Sequence, residues 1–509
     1  MGTLNFMNTI LDDVQRTRST INSLKKQRLL IFVVTMFFAM VSVISSALAG
    51  TGYPLDDAWI HQTYARNFAE TGKWFFINGI ESGGSTSPLW TFLLSLGYKI
   101  EFLSPFFWTS LLSILLVSGL SLIGFEVIRR KVDTQNWMIV TGSILFGLEW
   151  HLIWSVSSGM ETLLFCCLSL LLFFFLIDFK KPVIIGIIVG LMIWVRPDGL
   201  TLMGPLLLIL IWKGIKKELS IGLLVKTFLP LVILYISYGV FNFSISGRLF
   251  PNTFYAKQFE YAVVLQQALP IRLMRMFLVP VSGAGFLLIP GAVWFIFKGI
   301  RKLDVWIIVL FLWFVGYGVL FALRLPMDYQ HGRYLMPLIP AFFVLGISGW
   351  AVIMSHFQNN KKCMNIFKLI WVSYGIATVV FGIVGHRALV KDIQIIDQLM
   401  VQPAKWINLH TEESDIIAAH DIGALGYFGE REIIDLAGLI QQDIIPIIRD
   451  EKEIKNYIIK KQVDYLIIFY DWYEQMSDFG KVEETFEMDL ENKLEIVEIR
   501  NLKAEPSIN

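Results

Sequence analysis

The chain has 509 residues, 55% of them hydrophobic and only 17% charged, with a net charge of +1. Soluble globular chains carry about 25% charged residues, so an ordinary soluble protein is excluded, and the near-zero charge offers no basic stripe for nucleic acid. Three cysteines, Cys166, Cys167 and Cys363, give neither a disulfide framework nor a thiolate metal site.

The charge deficit is confined to the first three quarters of the chain. Residues 1–28 are polar and end in Lys25, Lys26 and Arg28, which predicts a cytoplasmic N-terminal segment. A spanning helix follows from about Leu29 to Ala49. Its end, Ala47-Leu48-Ala49, resembles a signal-peptidase site, but the apolar run exceeds the usual 7–15-residue signal core, so retention is expected. Residues 50–104 read as a long loop, with helical spacing over 58–70 and a turn at Gly83-Gly84-Ser85-Thr86-Ser87-Pro88. Leu89 to Tyr98 is apolar but half the length needed to span, and is expected to lie at the outer interface.

Further spans are predicted at 105–128, 137–157, 161–178, 182–196, 200–213, 222–245, 276–298, 304–323, 334–356 and 365–385. With the first helix that makes about eleven, some of them short by the 20-residue criterion. Threading them places Lys25/Lys26/Arg28, Arg129/Arg130/Lys131, Lys180/Lys181, Lys213/Lys216/Lys217, Lys298/Arg301/Lys302 and Lys361/Lys362 on one side, the cytoplasm by the positive-inside rule. The opposite face receives 50–104, the Arg196-Pro197-Asp198-Gly199 break, 246–275, 324–333 and everything after 386. Residues 386–509 regain charge and predict a soluble extracytoplasmic α/β domain. Its strands fall near 415–419, 432–436, 465–470 and 494–499, with helices over 388–410 and 451–461. The expected architecture is an α-helical polytopic membrane domain, 29–385, with this domain appended.

The outer face collects the residues with chemistry. Asp56 and Asp57 stand just past the first span. Asp is a preferred N-cap, so one reading is capping; the other is a general base that takes a proton from an attacking hydroxyl. A helix starting at Ala58 would make Asp57 the cap and leave Asp56 free. His61, four residues after Asp57, shares its helical face, and the pair could hold a divalent metal, with no third ligand evident. Arg196 lies near membrane depth before a proline, and Asp198 can cap the next span. Arg248, Lys257 and Arg333 are outer-face cations suited to a phosphate. Glu161 opens a span, as a helix-start acid or a substrate contact. His420-Asp421-Ile-Gly423-Ala-Leu-Gly426 follows a strand but lacks the third glycine of a nucleotide fingerprint. Asp421 and Asp435 are read as turn and strand-end residues.

These motifs in order carry a resemblance. Asp56-Asp57-Ala-Trp-Ile, Tyr64-Ala-Arg66-Asn67, Phe76-Ile-Asn78-Gly79, Ser85-Thr-Ser87-Pro88-Leu-Trp90 and Ser158-Gly-Met-Glu161-Thr come first. Arg196-Pro-Asp198-Gly, Leu249-Phe-Pro251-Asn252-Thr-Phe-Tyr255-Ala-Lys257, Arg333-Tyr334 and Asp421-Ile-Gly423-Ala-Leu-Gly426-Tyr follow. Over residues 29–440 the series resembles the GT-C superfamily of integral-membrane glycosyltransferases, and within it the actinobacterial terminal arabinofuranosyltransferases and their bacterial relatives. The resemblance implies a polyprenyl-phosphate-linked monosaccharide donor, an inverting transfer to a cell-envelope glycan, lipid or protein acceptor, and an acid of the first outer loop as base.

On that basis Asp56 and Asp57 are the expected catalytic acids. Arg196, Arg248, Lys257 and Arg333 are expected at the donor phosphate. His61, Arg66, Glu161, Asp198, Asn252, Tyr255 and Tyr334 are expected at the substrates. A divalent metal at Asp57 and His61 is the one cofactor considered. A flippase of a lipid-linked glycan and a non-catalytic scaffold or sensor are the alternatives; the first predicts paired half-sequences, which the chain lacks.

Overall fold

The computed structural model describes residues 2–50, 52–77, 79–132, 137–476, 478–490 and 493–503, so Asn78 of the motif series lies outside the described residues. The protein is a polytopic α-helical membrane protein with a C-terminal extramembrane domain built on a β-sheet. Among the described residues eight helices are long and apolar enough to cross a membrane. Trp137–Gly147 and Trp150–Val156, bent by 48° at their junction, make a ninth if they form one span. The expected eleven is too high. The difference is Thr162–Leu176 and Pro182–Val195, which are helical but only 15 and 14 residues long. At 1.5 Å per residue each reaches roughly 20 Å, short of a 30 Å hydrocarbon core. The second stops where the residue before Pro197 must leave helical geometry: Arg196 is extended, with φ −161° and ψ 146°, and a 3₁₀ turn follows over Pro197–Leu202.

Leu338–His356 is the central helix, with 83% of its apolar window buried, whereas Ile221–Ser246 is peripheral at 17%. Arg333 and Tyr334 stand just before that central helix, so two site residues are carried by the most enclosed element of the membrane part.

The first outer loop contains the helix Asp56–Thr71. Both acids lie in its first turn, where they favour the positive end of the helix dipole. Leu55 occupies the cap position and no side chain caps. The predicted register was therefore two residues late, and Asp57 is not the cap. The helix ends at Gly72, whose left-handed backbone (φ 72°) lets its N–H reach Phe68 O. A short antiparallel hairpin follows, β1 (Phe75–Ile77) and β2 (Ile80–Glu81). The helix Pro88–Tyr98 is 11 residues long, too short to span, as expected.

The last membrane helix does not end at 385. Lys361–Ile396 runs through a π turn, Asp397–Val401, into Gln402–His410, so the expected boundary at 386 falls inside one continuous rod. The rod leads into β3 (Ile416–Ala419), followed by β4 (Glu432–Asp435), β5 (Tyr465–Phe469), β6 (Lys481–Asp489) and β7 (Leu494–Asn501). The sheet order is β4-β3-β5-β7-β6, with β4, β3 and β5 parallel and the last two antiparallel. Four of these strands were predicted. β6 escaped because it is an exposed edge strand dense in Glu and Asp, the composition that protects an edge and masks it as loop.

Candidate active site

A cavity of about 480 Å³ opens where the acid helix meets the Arg196–Pro197 break, the helix Asn252–Glu260 and the segment before Leu338. Leu200, Phe250, Phe254, Leu320, Phe321 and Leu325 give it apolar walls, while Asp57, Lys257, Arg333 and Tyr334 form a polar end. Four cations line it, Arg196, Lys257, Arg324 and Arg333, against three acids, Asp57, Glu161 and Asp198. The lining thus carries one excess positive charge (four minus three).

Asp57 is the hinge of the polar end. Its Oδ2 accepts from Lys257 Nζ at 3.3 Å and from Arg333 Nη2. Its Oδ1 accepts no hydrogen bond among the described residues. Although burial alone would raise its pKa, Lys257 and Arg333 hold the carboxyl well below the usual carboxylate range. Tyr334 Oη accepts from both cations, at 2.8 Å from Lys257 and 3.1 Å from Arg333.

Arg333 is 3% exposed. Its Nε and Nη1 nonetheless have no partner among the described residues. Two unsatisfied donors on a buried guanidinium are costly unless an acceptor arrives. The backbone that aims it is itself strained: Gln330, His331 and Gly332 all have positive φ, at 53°, 57° and 66°, about 1–2 kcal/mol for each non-glycine residue. His331 Nε2 lies 2.7 Å from Asp392 Oδ2 of the long C-terminal rod, which helps to hold that turn.

Deeper in the cavity, Arg196 Nε donates to Asp198 Oδ1 at 2.9 Å and lies 3.8 Å from Glu161 Oε1. Asp198 also accepts from Tyr317 Oη and does not cap the next helix, contrary to expectation. Glu161 precedes its helix without capping it, is 4% exposed, and its Oε2 accepts no hydrogen bond. His61 Nε2 is 3.6 Å from that oxygen, and its Nδ1 faces Thr91 Oγ1 at 2.9 Å. Burial lowers the His61 pKa.

Asp56 points the other way. Its two carboxylate oxygens accept from the backbone N–H groups of Gly423 and Ala424, each at 2.7 Å. It is committed to the C-terminal domain, and its carboxyl is pushed up to about 8 by burial and then by Asp421. Asp56, read from sequence as the free acid, is thus held by backbone N–H groups, and Asp57, read as the cap, faces Lys257 and Arg333 instead. Arg66 does the same work one helix face along: it donates to Tyr427 O at 2.9 Å and stacks on the Tyr427 ring.

The structure gathers Asp57, Glu161, Arg196, Asp198, Lys257, Arg333 and Tyr334 around one cavity, and leaves Asp56, His61, Arg66, Arg248, Asn252 and Tyr255 off its walls. Arg248 stacks on the Tyr255 ring, 4.9 Å from its centroid. Asn252 is buried with its N–H on Gly83 O at 3.0 Å. Asp57 meets two cations, and among the described residues no three His, Cys, Asp or Glu side chains converge. Arg324 was overlooked. It ends the helix Val305–Arg324, on the face where the span count expects few cations, and that was the available signal.

A family model described as a domain of unknown function (DUF8728) matches residues 390–501. A search of curated proteins finds no match. Among solved structures, ArnT from Cupriavidus metallidurans bound to undecaprenyl phosphate aligns at 12% identity with a TM-score of 0.54, covering 92% of this chain and 97% of that one. Its apo state aligns at 11% and 0.56, covering 92% and 98%. The Archaeoglobus fulgidus oligosaccharyltransferase tethered with an acceptor peptide aligns at 11% and 0.60, covering 92% of this chain and 73% of that one. The chain shares the fold of these membrane proteins. At these identities the likeness is one of fold alone.

Proposed function

We propose that this GT-C chain transfers a monosaccharide from a polyprenyl-phosphate donor to an acceptor on the extracytoplasmic face. The observation that carries the proposal is Arg333: a buried guanidinium with two unpartnered nitrogens, beside Lys257 and Asp57, at the polar end of an apolar-walled cavity. A lipid phosphate supplies what that site lacks. Its oxygens match the free donors, and its prenyl chain matches the Leu and Phe walls. Undecaprenyl phosphate bound to the similarly folded ArnT is consistent with such a ligand.

The chemistry follows from competition for the two cations. A donor phosphate draws Lys257 and Arg333 away from Asp57, which releases the carboxylate and raises its proton affinity at the moment a base is needed. The acceptor oxygen attacks the anomeric carbon from the face opposite the phosphate. The carbon–oxygen bond to phosphate breaks, the lipid phosphate leaves with the electron pair, and Asp57 takes the acceptor proton. One such displacement inverts the anomeric centre. Lys257 and Arg333 stabilise the charge that grows on the leaving phosphate. Arg196 is neutralised by Asp198 and Glu161 and orients the sugar side of the cavity.

The test is purified protein in nanodiscs with a panel of polyprenyl-phosphate monosaccharides, with and without chelator. Equimolar release of lipid phosphate and formation of a new glycoside are expected. Movement of intact lipid-linked sugar across a vesicle, with no new glycosidic bond, would instead mark a flippase.

A further inference from the structure

The C-terminal sheet has a strand-order reversal, and with it a candidate crevice, that the proposed transfer does not yet use. From β3 the chain goes to β4 on one side and then to β5 on the other, so the strand order reverses between β3 and β5. In open α/β sheets ligands bind at the carboxyl ends of the strands at such a reversal. Here those ends are occupied by His420-Asp421 after β3 and Trp472-Tyr473 after β5. His420 Nδ1 faces Tyr473 Oη at 2.7 Å, and its ring lies 5.2 Å from that of Trp472. Trp472 stacks one face on Phe469 at 4.4 Å and remains 47% exposed.

This crevice abuts the catalytic end of the cavity. Gly423, two residues past Asp421, donates to Asp56, the neighbour of Asp57. His420 Nε2, on the other side, lies 3.6 Å from Glu260. Glu260 is one helical turn from Lys257, which bonds Asp57. Asp421 is thereby bracketed between the acid helix and the helix Asn252–Glu260. It forms no ion pair or hydrogen bond among the described residues. It was read from sequence as a turn residue, and its position argues for more.

Resting on the transfer proposed above, we infer that this crevice is the acceptor subsite and that the acceptor is a carbohydrate. Asp421 accepts a hydrogen bond from a hydroxyl of the acceptor sugar, and Trp472 stacks on a sugar ring. An uncharged polyol, whose hydroxyls can donate to carboxylates, fits a rim where Asp421 and Glu260 outnumber the one cationic partner between them, His420. A phosphorylated or carboxylated acceptor would meet like charge there.

The experiment uses full-length protein in nanodiscs, with a panel of methyl glycosides and neutral oligosaccharides as probes and a Ser/Thr/Asn-containing peptide as control. Wild type, Asp421→Asn and Trp472→Ala are compared by saturation-transfer NMR for binding and by product formation for transfer. Each variant is expected to raise the glycoside KM at least tenfold, with the donor KM, the affinity for undecaprenyl phosphate and the thermal midpoint within twofold or a few degrees of wild type. Glycoside binding lost in both variants, with no transfer from any lipid-phosphate sugar, would leave the sugar site standing and remove the transfer. Unchanged binding and KM in both variants, or glycosylation of the peptide with no binding of any glycoside, would overturn the subsite.

Discussion

Asp57→Asn is expected to abolish transfer while tightening the binding of undecaprenyl phosphate about tenfold. The loss follows from removing the one carboxylate that lines the cavity beside Arg333 and Lys257. The gain follows from the same geometry. In the unliganded protein Asp57 Oδ2 occupies both cations, so an incoming phosphate must displace a carboxylate. An amide in its place no longer competes electrostatically, and a tenfold gain corresponds to about 1.4 kcal/mol. Turnover and equilibrium binding, measured on the same preparation, check the two halves separately. A variant that loses both activity and binding would show Asp57 to be a structural partner of Arg333 rather than its competitor. Asp56→Asn is a different experiment, because Asp56 faces Gly423 and Ala424 and not the cavity.

Gly423→Ala is expected to uncouple the C-terminal domain from the acid helix. A methyl group at 423 would stand 2.0 Å from the backbone oxygen of Asp56 and 2.7 Å from its Oδ2. Neither backbone can yield cheaply, since both 2.7 Å hydrogen bonds to Asp56 depend on that approach. Overpacking of this kind costs about 1–3 kcal/mol, and Asp56 loses its two backbone hydrogen bonds as well. Lower thermal stability should accompany a fall in turnover of at least tenfold, because the displaced helix carries Asp57. Wild-type stability in this variant would mean that the 420–424 segment is not held against Asp56 in the membrane-bound protein.

Much of this was legible in the sequence because membrane helices announce themselves by length and polarity. Most of the predicted apolar runs are helical, although 276–298 is broken at Ser282–Gly283 between two 3₁₀ turns. The count failed at 162–176 and 182–195, where hydropathy reads composition and cannot read how far a helix extends before a proline or a glycine turn. Lys257, Arg333, Arg196 and Asp57 were found because outer-face charges among apolar spans are few. Asp56 was read as free and Asp57 as a cap because nothing local decides between adjacent residues that point about 100° apart on a helix, and the side that Gly423 would occupy is set by residues more than 360 positions away. Arg248 failed for a related reason. Nothing local tells a loop arginine that it will stack on Tyr255 instead of facing a cavity. The switch-point crevice could not be read at all, since strand order is a property of the sheet.

The most direct measurement is a structure of the protein in nanodiscs with undecaprenyl phosphate. The phosphate should lie within hydrogen-bond distance of Arg333 and Lys257, with Asp57 moved off both cations and the prenyl chain along Phe254, Leu320 and Phe321. A phosphate bound outside this cavity, with Arg333 and Lys257 still on Asp57, would contradict the account.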